Sequence, residues 1–242
     1  MSSNTPQRRG PKAGMSPLTG KPLPPRPAAR RTQAERLAET RARIISATVA
    51  YIDDHGFHQT SLHQVARAAG VTVGAVQHHF ASKHGLLTAV VEESFQQLTE
   101  SLRLLAFQGL GLEQRIALFV DQCWAFCNSA RYQASLQILL GIRNEEEQMA
   151  ETPFEQWINQ TLGHVAGEGF ELWRQVFNDV AFDEAEHFDI LVYIFSSLSG
   201  SALLSRISQH PARVESDLRE LKKLLLLRFR EKLESPKPRG PQ

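Results

Sequence analysis

The side chains best suited to contact another molecule lie close together, between residues 41 and 83 of the 242-residue chain. Their hydroxyl, amide, imidazole and cationic groups can hydrogen-bond to phosphates and to the edges of nucleic-acid bases. The candidate contact residues are Arg41, Arg43, Thr60, Ser61, Thr72, Val73, Gly74, Gln77, His78 and Lys83.

Charge and position suggest different roles for these residues. Thr60 and Lys83 suit phosphate contacts, because lysine adds positive charge and the exposed N–H groups of a helix start favour an anion. Ser61 is better explained as a helix cap than as a contact. Arg41 and Arg43 either touch the nucleic-acid backbone or minor groove, or are simply solvated charges.

Two short helices must position the remaining candidates. Ser61 begins a helix that runs to Gly70, and Thr72 begins a second helix that ends near His79. Gly70 supplies the left-handed backbone that a tight turn needs, so the pair forms a helix-turn-helix whose second helix can enter a major groove. The residues expected to line that groove are Thr72, Val73, Gln77 and His78, with Gly74 permitting close backbone approach.

Several spaced elements of this stretch occur in a specific order. They are Gly56, Thr60-Ser61, Ala69-Gly70-Val71, His79-Phe80, Ser82-Lys83 and Leu86-Leu87. From about Arg43 to Val91 the chain resembles the DNA-binding domain of TetR-family transcriptional regulators. That resemblance implies a ligand-responsive regulator, most often a repressor, that binds a palindromic double-stranded DNA operator as a homodimer.

One position departs from the family pattern. The family usually has an aromatic residue, most often a tyrosine that contacts a phosphate, where this chain has Gln77. A glutamine can donate to a phosphate or read an adenine edge through a bidentate amide. The role of this position therefore stays open, whereas the fold does not depend on it.

Helical periodicity and scarce proline predict an all-α fold. The resemblance to TetR-family regulators implies an N-terminal three-helix helix-turn-helix domain followed by a C-terminal helical ligand-binding and dimerisation domain. The expected organisation is a disordered basic arm (1–30), the DNA-binding domain (31–82), the regulatory and dimerisation domain (83–234) and a flexible tail (235–242). Helices are expected at about 83–106, 112–129, 131–142, 152–180, 184–208 and 211–233.

The net charge of +1 hides an asymmetry, because residues 1–43 carry a net +8 and the rest a net −7. A basic arm suits nucleic acid but is equally consistent with a solvated leader. The start of the chain has no apolar signal region, and serines and Asp189 interrupt the most apolar run, Phe188–Leu204. We therefore expect a cytoplasmic protein without a membrane partner.

Neither metal nor catalytic motifs stand out. Six of the nine histidines lie in the helix-turn-helix region, without metal-ligand spacing, and Cys123 and Cys127 fit a buried, inert pair. Glycine-rich and nucleophile motifs are incomplete at Gly109–Gly111 and Ser199–Ser201. We expect no enzyme, no cofactor and no metal.

The C-terminal half offers candidates for an unknown small-molecule effector and for a second subunit. The expected pocket residues are Phe119, Cys123, Trp124, Phe126, Trp157, Phe170, Trp173 and Phe177. Two helices that are apolar nearly all round predict a four-helix dimer interface through Leu191, Phe195, Leu198, Leu218, Leu221 and Leu225. The alternative is a helical small-molecule carrier or adaptor in which the helix-turn-helix is only scaffold.

Overall fold

A computed structural model of the chain describes residues 32–146, 154–208 and 211–234, and all regular structure in these residues is helical. The predicted arm (1–30) and tail (235–242) lie outside this range. The helices are α1 (Gln33–His55), a 3₁₀ turn (Phe57–Gln59), α2 (Leu62–Ala69), α3 (Val73–Phe80), α4 (Lys83–Arg103), α5 (Leu112–Cys127), α6 (Ala130–Glu146), α7 (Phe154–Val176), α8 (Glu184–Ser208) and α9 (Pro211–Glu234). The predicted all-α class is confirmed.

Two compact units divide the chain, residues 1–39 and residues 40–242. In the first unit, Thr32 and Glu35 cap the start of α1 reciprocally. The Thr32 N–H donates to Glu35 Oε2 at 2.7 Å, and the Glu35 N–H donates to Thr32 Oγ1 at 3.2 Å. Both hydrophobic cores belong to the second unit, and the domain boundary predicted after residue 82 stays a prediction.

Hydroxyl caps fix the starts of α2, α3 and α4. The side-chain oxygens of Ser61, Thr72 and Ser82 each accept the backbone N–H three residues further on, at 3.3, 3.1 and 3.0 Å. A cap of this kind stabilises a helix by about 1 kcal/mol. Three short-range hydrogen bonds therefore define where the helix-turn-helix and the helix after it begin.

Two residues with positive φ make the turns around α3. Gly70, between α2 and α3, has φ 63° and ψ 38°, as the sequence predicts. Ala81, between α3 and α4, has φ 59° and is the one non-glycine residue with positive φ among those described. The Ser82 N–H donates to Phe80 O at 2.7 Å across Ala81, which closes a strained three-residue turn.

The amino-terminal core joins α1, α2, α3 and the first half of α4 to α6. Ile44, Ile52 and Val65 are fully buried in it, together with Ile138 of α6. Gly141 of α6 lies against the ring of Phe57, and a Cβ atom there would stand 2.2 Å from the ring. Helix α6, which follows α4 and α5 in the chain, thus completes the core that supports the helix-turn-helix.

The carboxy-terminal core joins the second half of α4 to α5, α7, α8 and α9. Trp173 and Phe177 pack at its centre with ring centroids 4.4 Å apart, and Phe229 lies 5.0 Å from Phe177. The Trp173 indole donates to Nδ1 of His187 at 3.1 Å, and burial lowers the pKa of this histidine. The imidazole is therefore held in its neutral form, as an acceptor.

A charged pair joins α5 to the end of α7. Arg115 is nearly buried and donates to both carboxylate oxygens of Asp179, at 2.8 and 2.6 Å. These hydrogen bonds lower the pKa of Asp179. Arg115 also donates to the carbonyl oxygen of Val176 at 2.5 Å, so it holds the C-terminal end of α7 in place.

Helix α8 has two apolar faces. By length and composition alone, the segment Glu184–Ile207 of α8 is long and apolar enough to cross a membrane. Asp189 and several serines interrupt its apolar sequence. Ile194, Leu198 and Ala202 are fully buried in the carboxy-terminal core, whereas Tyr193 and Leu204 are half exposed. Near its end, Arg206 Nη1 lies 2.9 Å from Asp53 Oδ1 of α1.

Candidate DNA interface and apolar cavity

Helix α3 presents a continuous outward face. Gly74, Gln77 and His78 are exposed, and their spacing places them on one side of the helix, while Thr72 is exposed at the N-cap. Val76 and Phe80 are buried on the opposite side. Because the buried pair fixes the rotation of α3, the amide of Gln77 and the imidazole of His78 face away from the core.

Val73 of α3 and its N-cap Thr72 are more constrained than Gln77 and His78. Val73 is half-buried and packs against the amino-terminal core, so only part of its side chain faces outward. Thr72 Oγ1 already accepts the capping bond from the Ala75 N–H, which leaves its O–H able to donate. A Cβ atom added at Gly74 would contact only this Oγ1 within 4 Å, so the backbone of Gly74 is accessible.

Residues 60 and 61 prove structural. Thr60 is 3% exposed and its hydroxyl donates to the carbonyl oxygen of Gly56 at 3.1 Å, which removes Thr60 from the candidate phosphate contacts. Its hydroxyl satisfies a backbone group inside the fold, and the sequence pattern did not reveal that. Ser61 caps α2, as the sequence favours.

The cationic candidates differ in how firmly the fold holds them. Lys83 is the first residue of α4, and its ammonium lies 4.8 Å from the centroid of the Phe57 ring. Arg41 pairs with Glu93 at 2.8 Å and stacks 4.9 Å above the ring of Phe80. Arg41 therefore braces α1 against α3 and α4, whereas Arg43, two residues further along α1, is exposed.

Electrostatics keeps one histidine of the region neutral. Burial lowers the pKa of His79, and the neighbouring His78 and Arg41 lower it further. The His78 and His79 rings meet edge to face with centroids 5.6 Å apart. His79 thus acts as a packing residue, in agreement with the sequence, while its neighbour faces outward.

Neither metal chemistry nor thiol chemistry has support in the described residues. They contain no group of three or more His, Cys, Asp or Glu placed to hold a metal ion. Burial raises the pKa of the Cys127 thiol to about 12 and that of Cys123 well above its usual range. Both thiols therefore stay protonated and unreactive at neutral pH.

An apolar cavity of about 300 Å³ lies among α4, α5, α7 and α8. Its lining residues are Phe95, Leu98, Thr99, Leu102, Phe119, Leu162, Val165, Ala166, Gly169, Phe170, Phe188, Leu191, Val192, Phe195 and Ser196. Apolar enclosure of this size is typical of a small-molecule site. We call it the apolar cavity.

The sequence places only part of the cavity correctly. Phe119 and Phe170 line it, but the other described pocket candidates pack elsewhere in the carboxy-terminal core. Those residues are Cys123, Trp124, Phe126, Trp173 and Phe177. The side chain of Trp157 lies outside the described part of the chain.

Helix α4 also lines the apolar cavity, which the sequence did not predict. Its apolar residues Phe95, Leu98 and Leu102 recur at helical spacing. This spacing indicates a buried face, but it does not indicate that the face borders a cavity. Since Leu86 and Leu87 of the same helix lie in the amino-terminal core, α4 extends from the helix-turn-helix to the cavity.

Three of the six predicted dimer residues require correction. Leu198, Leu221 and Leu225 are buried within the carboxy-terminal core of this subunit, because a helix that is apolar all round does not reveal which side its own core uses. Leu218 packs against that core, and Leu191 and Phe195 line the apolar cavity. These three side chains are only half-buried, and their place in a dimer interface stays a prediction.

Another set of large apolar side chains on α8 and α9 remains exposed. The exposed α8–α9 face consists of Tyr193, Leu203, Leu204, Ile207, Leu224 and Leu227. Exposed fractions run from 44% at Leu224 to 72% at Ile207. Large apolar side chains exposed in this number on two neighbouring helices are typical of a protein interface.

The sequence and the fold both have counterparts among known proteins. Residues 44–90 match the model for bacterial regulatory proteins of the tetR family. The chain is 29% identical over 188 residues to the HTH-type transcriptional regulator CymR of Pseudomonas putida, over 77% of this chain and 89% of CymR. It is 37% identical over 83 residues to the HTH-type transcriptional regulator BetI of Escherichia coli, over 34% of this chain and 43% of BetI.

A solved structure of similar fold is the transcriptional regulator FadR from Bacillus subtilis in complex with stearoyl-CoA. The two superpose with a TM-score of 0.55 at 16% identity, over 76% of this chain and 96% of FadR. The likeness extends beyond the helix-turn-helix into the helices that surround the cavity, and at this identity it concerns the fold alone.

Proposed function

This chain belongs to the tetR family of bacterial regulatory proteins, and we propose that it binds its operator as a homodimer and releases it when a small molecule occupies the apolar cavity. The observation that carries the proposal is the outward face of α3. It combines the amide of Gln77 and the imidazole of His78 on a helix whose opposite side is buried in the amino-terminal core, and the hydroxyl of Thr72 lies at the start of that helix.

Helix α3 enters the major groove, where its exposed residues meet base edges. Gln77 reads a base through its amide, and an adenine is the matching partner, because adenine presents one donor and one acceptor. Lys83 at the start of α4 and the Thr72 hydroxyl contact phosphates, which set the register but carry no sequence information. Arg43 adds positive charge on the same unit.

The exposed α8–α9 face forms the dimer interface. Two copies related by a two-fold axis bring the same patch together, and four helices then bury Tyr193, Leu204 and Leu224. Two-fold symmetry predicts a near-palindromic operator whose half-sites lie roughly 34–36 Å apart, or a multiple of that spacing.

Helix α4 couples the cavity to the DNA interface. It is 21 residues long, which corresponds to about 30 Å, and it contributes to both cores without interruption. A ligand that displaces Phe95 or Leu98 tilts the helix that begins at Lys83. The ligand lowers DNA affinity by the ratio of its affinities for the two conformations.

DNase footprinting with the full-length chain on the DNA upstream of its own gene tests this function. We expect a protected near-palindrome whose affinity falls as the salt concentration rises, because phosphate contacts release counterions. Absence of protection at moderate salt would favour the helical carrier, which the apolar cavity also suits. A regulator of this kind acts where the operator is, so we place it in the cytoplasm.

A further inference from the structure

The lining of the apolar cavity restricts the chemistry of the effector. Its described residues include five phenylalanines and no charged side chain. We propose, on the basis of the proposed function, that the effector is a compact, uncharged molecule built on an aromatic or alicyclic ring system, with at most one hydroxyl-type group.

A charged effector is excluded because none of the described lining residues can neutralise it. Arg103 and Glu168, which adjoin lining residues on α4 and α7, pair with each other at 2.7 Å. Glu168 is also 3.1 Å from His164. A carboxylate or phosphate in the cavity would lose its hydration without gaining a cation, and that transfer costs several kcal/mol.

The volume of about 300 Å³ limits the size of the effector. An engineered apolar cavity of about 150 Å³ holds one benzene molecule. Twice that space accommodates two fused rings, or one ring with a short alkyl branch. Nucleotide-linked ligands are excluded on charge as well as on size.

The walls favour a rigid ring over a flexible chain. Edge-to-face contacts hold their rings in place: Phe119 packs 4.9 Å from Trp173, and Phe95 packs 5.3 Å from Phe126. Fixed aromatic walls receive a flat ring without reorganising, and each aromatic pair stabilises binding beyond the burial of apolar surface.

Two hydroxyls provide the polar contacts of the lining. Thr99 Oγ1 donates to the Phe95 carbonyl oxygen at 3.3 Å, so towards a ligand it presents an acceptor oxygen. Ser196 lies at the exposed rim. One donor on the ligand, such as a phenolic O–H, can therefore be satisfied.

Calorimetric titration of the full-length protein with 2-naphthol and with 2-naphthoate tests the inference. The two probes share a ring system, but only the second is an anion at neutral pH. We expect 2-naphthol to bind at least about tenfold more tightly. Equal or tighter binding of 2-naphthoate, or no binding of 2-naphthol by protein that still binds DNA, would overturn the proposal.

A pair of substitutions locates the probe. Ala166→Phe places a ring at the rim of the cavity and should weaken 2-naphthol binding by about tenfold or more. Ala185→Phe adds the same ring at an exposed alanine of α8 outside the lining and should leave binding unchanged. Equal effects of the two variants would contradict the cavity as the site.

DNA release is measured separately, by fluorescence anisotropy of an operator duplex. If 2-naphthol binds in the cavity but leaves operator affinity unchanged, the ligand class stands and the proposed coupling fails. If the wild-type protein binds no operator at all, the proposed function fails, whatever the titration shows.

Discussion

At the scale of single residues, the proposed function assigns base reading to α3 and phosphate anchoring to the start of α4. Gln77 is exposed on the helix, whereas Lys83 lies at the start of the next helix beside Phe57. Replacing a residue that reads a base should change which operators bind. Replacing a phosphate anchor should weaken all operators alike.

We therefore expect Gln77→Ala to reduce the discrimination between operators that differ at one base pair, by about 1–3 kcal/mol. Lys83→Ala should weaken every operator by a similar factor and make binding less dependent on salt. Anisotropy titrations against an operator library at two salt concentrations distinguish them. A uniform loss in Gln77→Ala would assign Gln77 to a phosphate, the role of the aromatic residue it replaces.

Asp179 gives a residue-scale prediction about pH. Because Arg115 lowers its pKa in the folded state, the pair stabilises the protein above the unfolded pKa, about 4. This contribution is lost as pH falls through the folded pKa. Since Asp179 is half exposed, we expect Asp179→Asn to cost about 1 kcal/mol at pH 7.

Urea unfolding at a series of pH values measures this difference. The wild type and Asp179→Asn should converge in strongly acidic solution, where the wild-type carboxylate is protonated. Glu171→Gln is the control, because Glu171 pairs with Arg174 on the exposed surface and should change stability by less than about 0.5 kcal/mol. A constant gap at all pH values would contradict the prediction.

At the scale of elements, the close contact between α6 and the 3₁₀ turn allows the packing of the amino-terminal core to be tested. A Cβ atom at Gly141 would overlap the Phe57 ring, which also contacts the Lys83 ammonium. Gly141→Ala should destabilise the protein by about 1–3 kcal/mol through overpacking. It should also displace Lys83 and weaken operator binding.

Gly167→Ala in α7 is the matched control. Nothing lies within 4 Å of a Cβ atom there, so the change should stabilise the helix by about 0.5–1 kcal/mol. Thermal unfolding and operator titration of both variants give the comparison. Equal stabilisation by the two changes would show that α6 does not press on Phe57.

The same elements show what the sequence can predict. Ser61, Thr72 and Gly70 were predicted correctly because caps and turns depend on neighbours three or four residues away. The prediction that Thr60 contacts a phosphate was wrong, because its hydroxyl donates to the carbonyl oxygen of Gly56 in the preceding turn. The cavity was found only in part, since empty space depends on how distant helices pack, and periodicity does not report it.

At the scale of the whole molecule, the proposed dimer depends on which side of α8 faces outward. The sequence favours Leu198, but the subunit's own core buries it and leaves Leu204 half exposed. A helix with apolar residues all round satisfies two partners, and the pattern alone does not assign the sides. The assembly therefore had to be inferred from exposure.

We expect Leu204→Lys to dissociate the dimer and to weaken operator binding, because the two half-sites would no longer be bound together. Leu104→Lys, at an exposed leucine outside the α8–α9 face, should leave both properties unchanged. Sedimentation at micromolar concentration measures the change. A wild-type particle of 27.1 kDa would contradict the dimer itself.

The ion pair between Arg206 and Asp53 has a consequence for operator geometry. It fastens the last turns of α8, in the proposed dimer interface, to the end of α1 beside the reading unit, 153 positions away in sequence. Neither residue lines the apolar cavity. In the proposed dimer, this partly exposed ion pair stabilises, by up to about 1 kcal/mol, one distance between each helix-turn-helix and the symmetry axis, so the protein favours one spacing between half-sites.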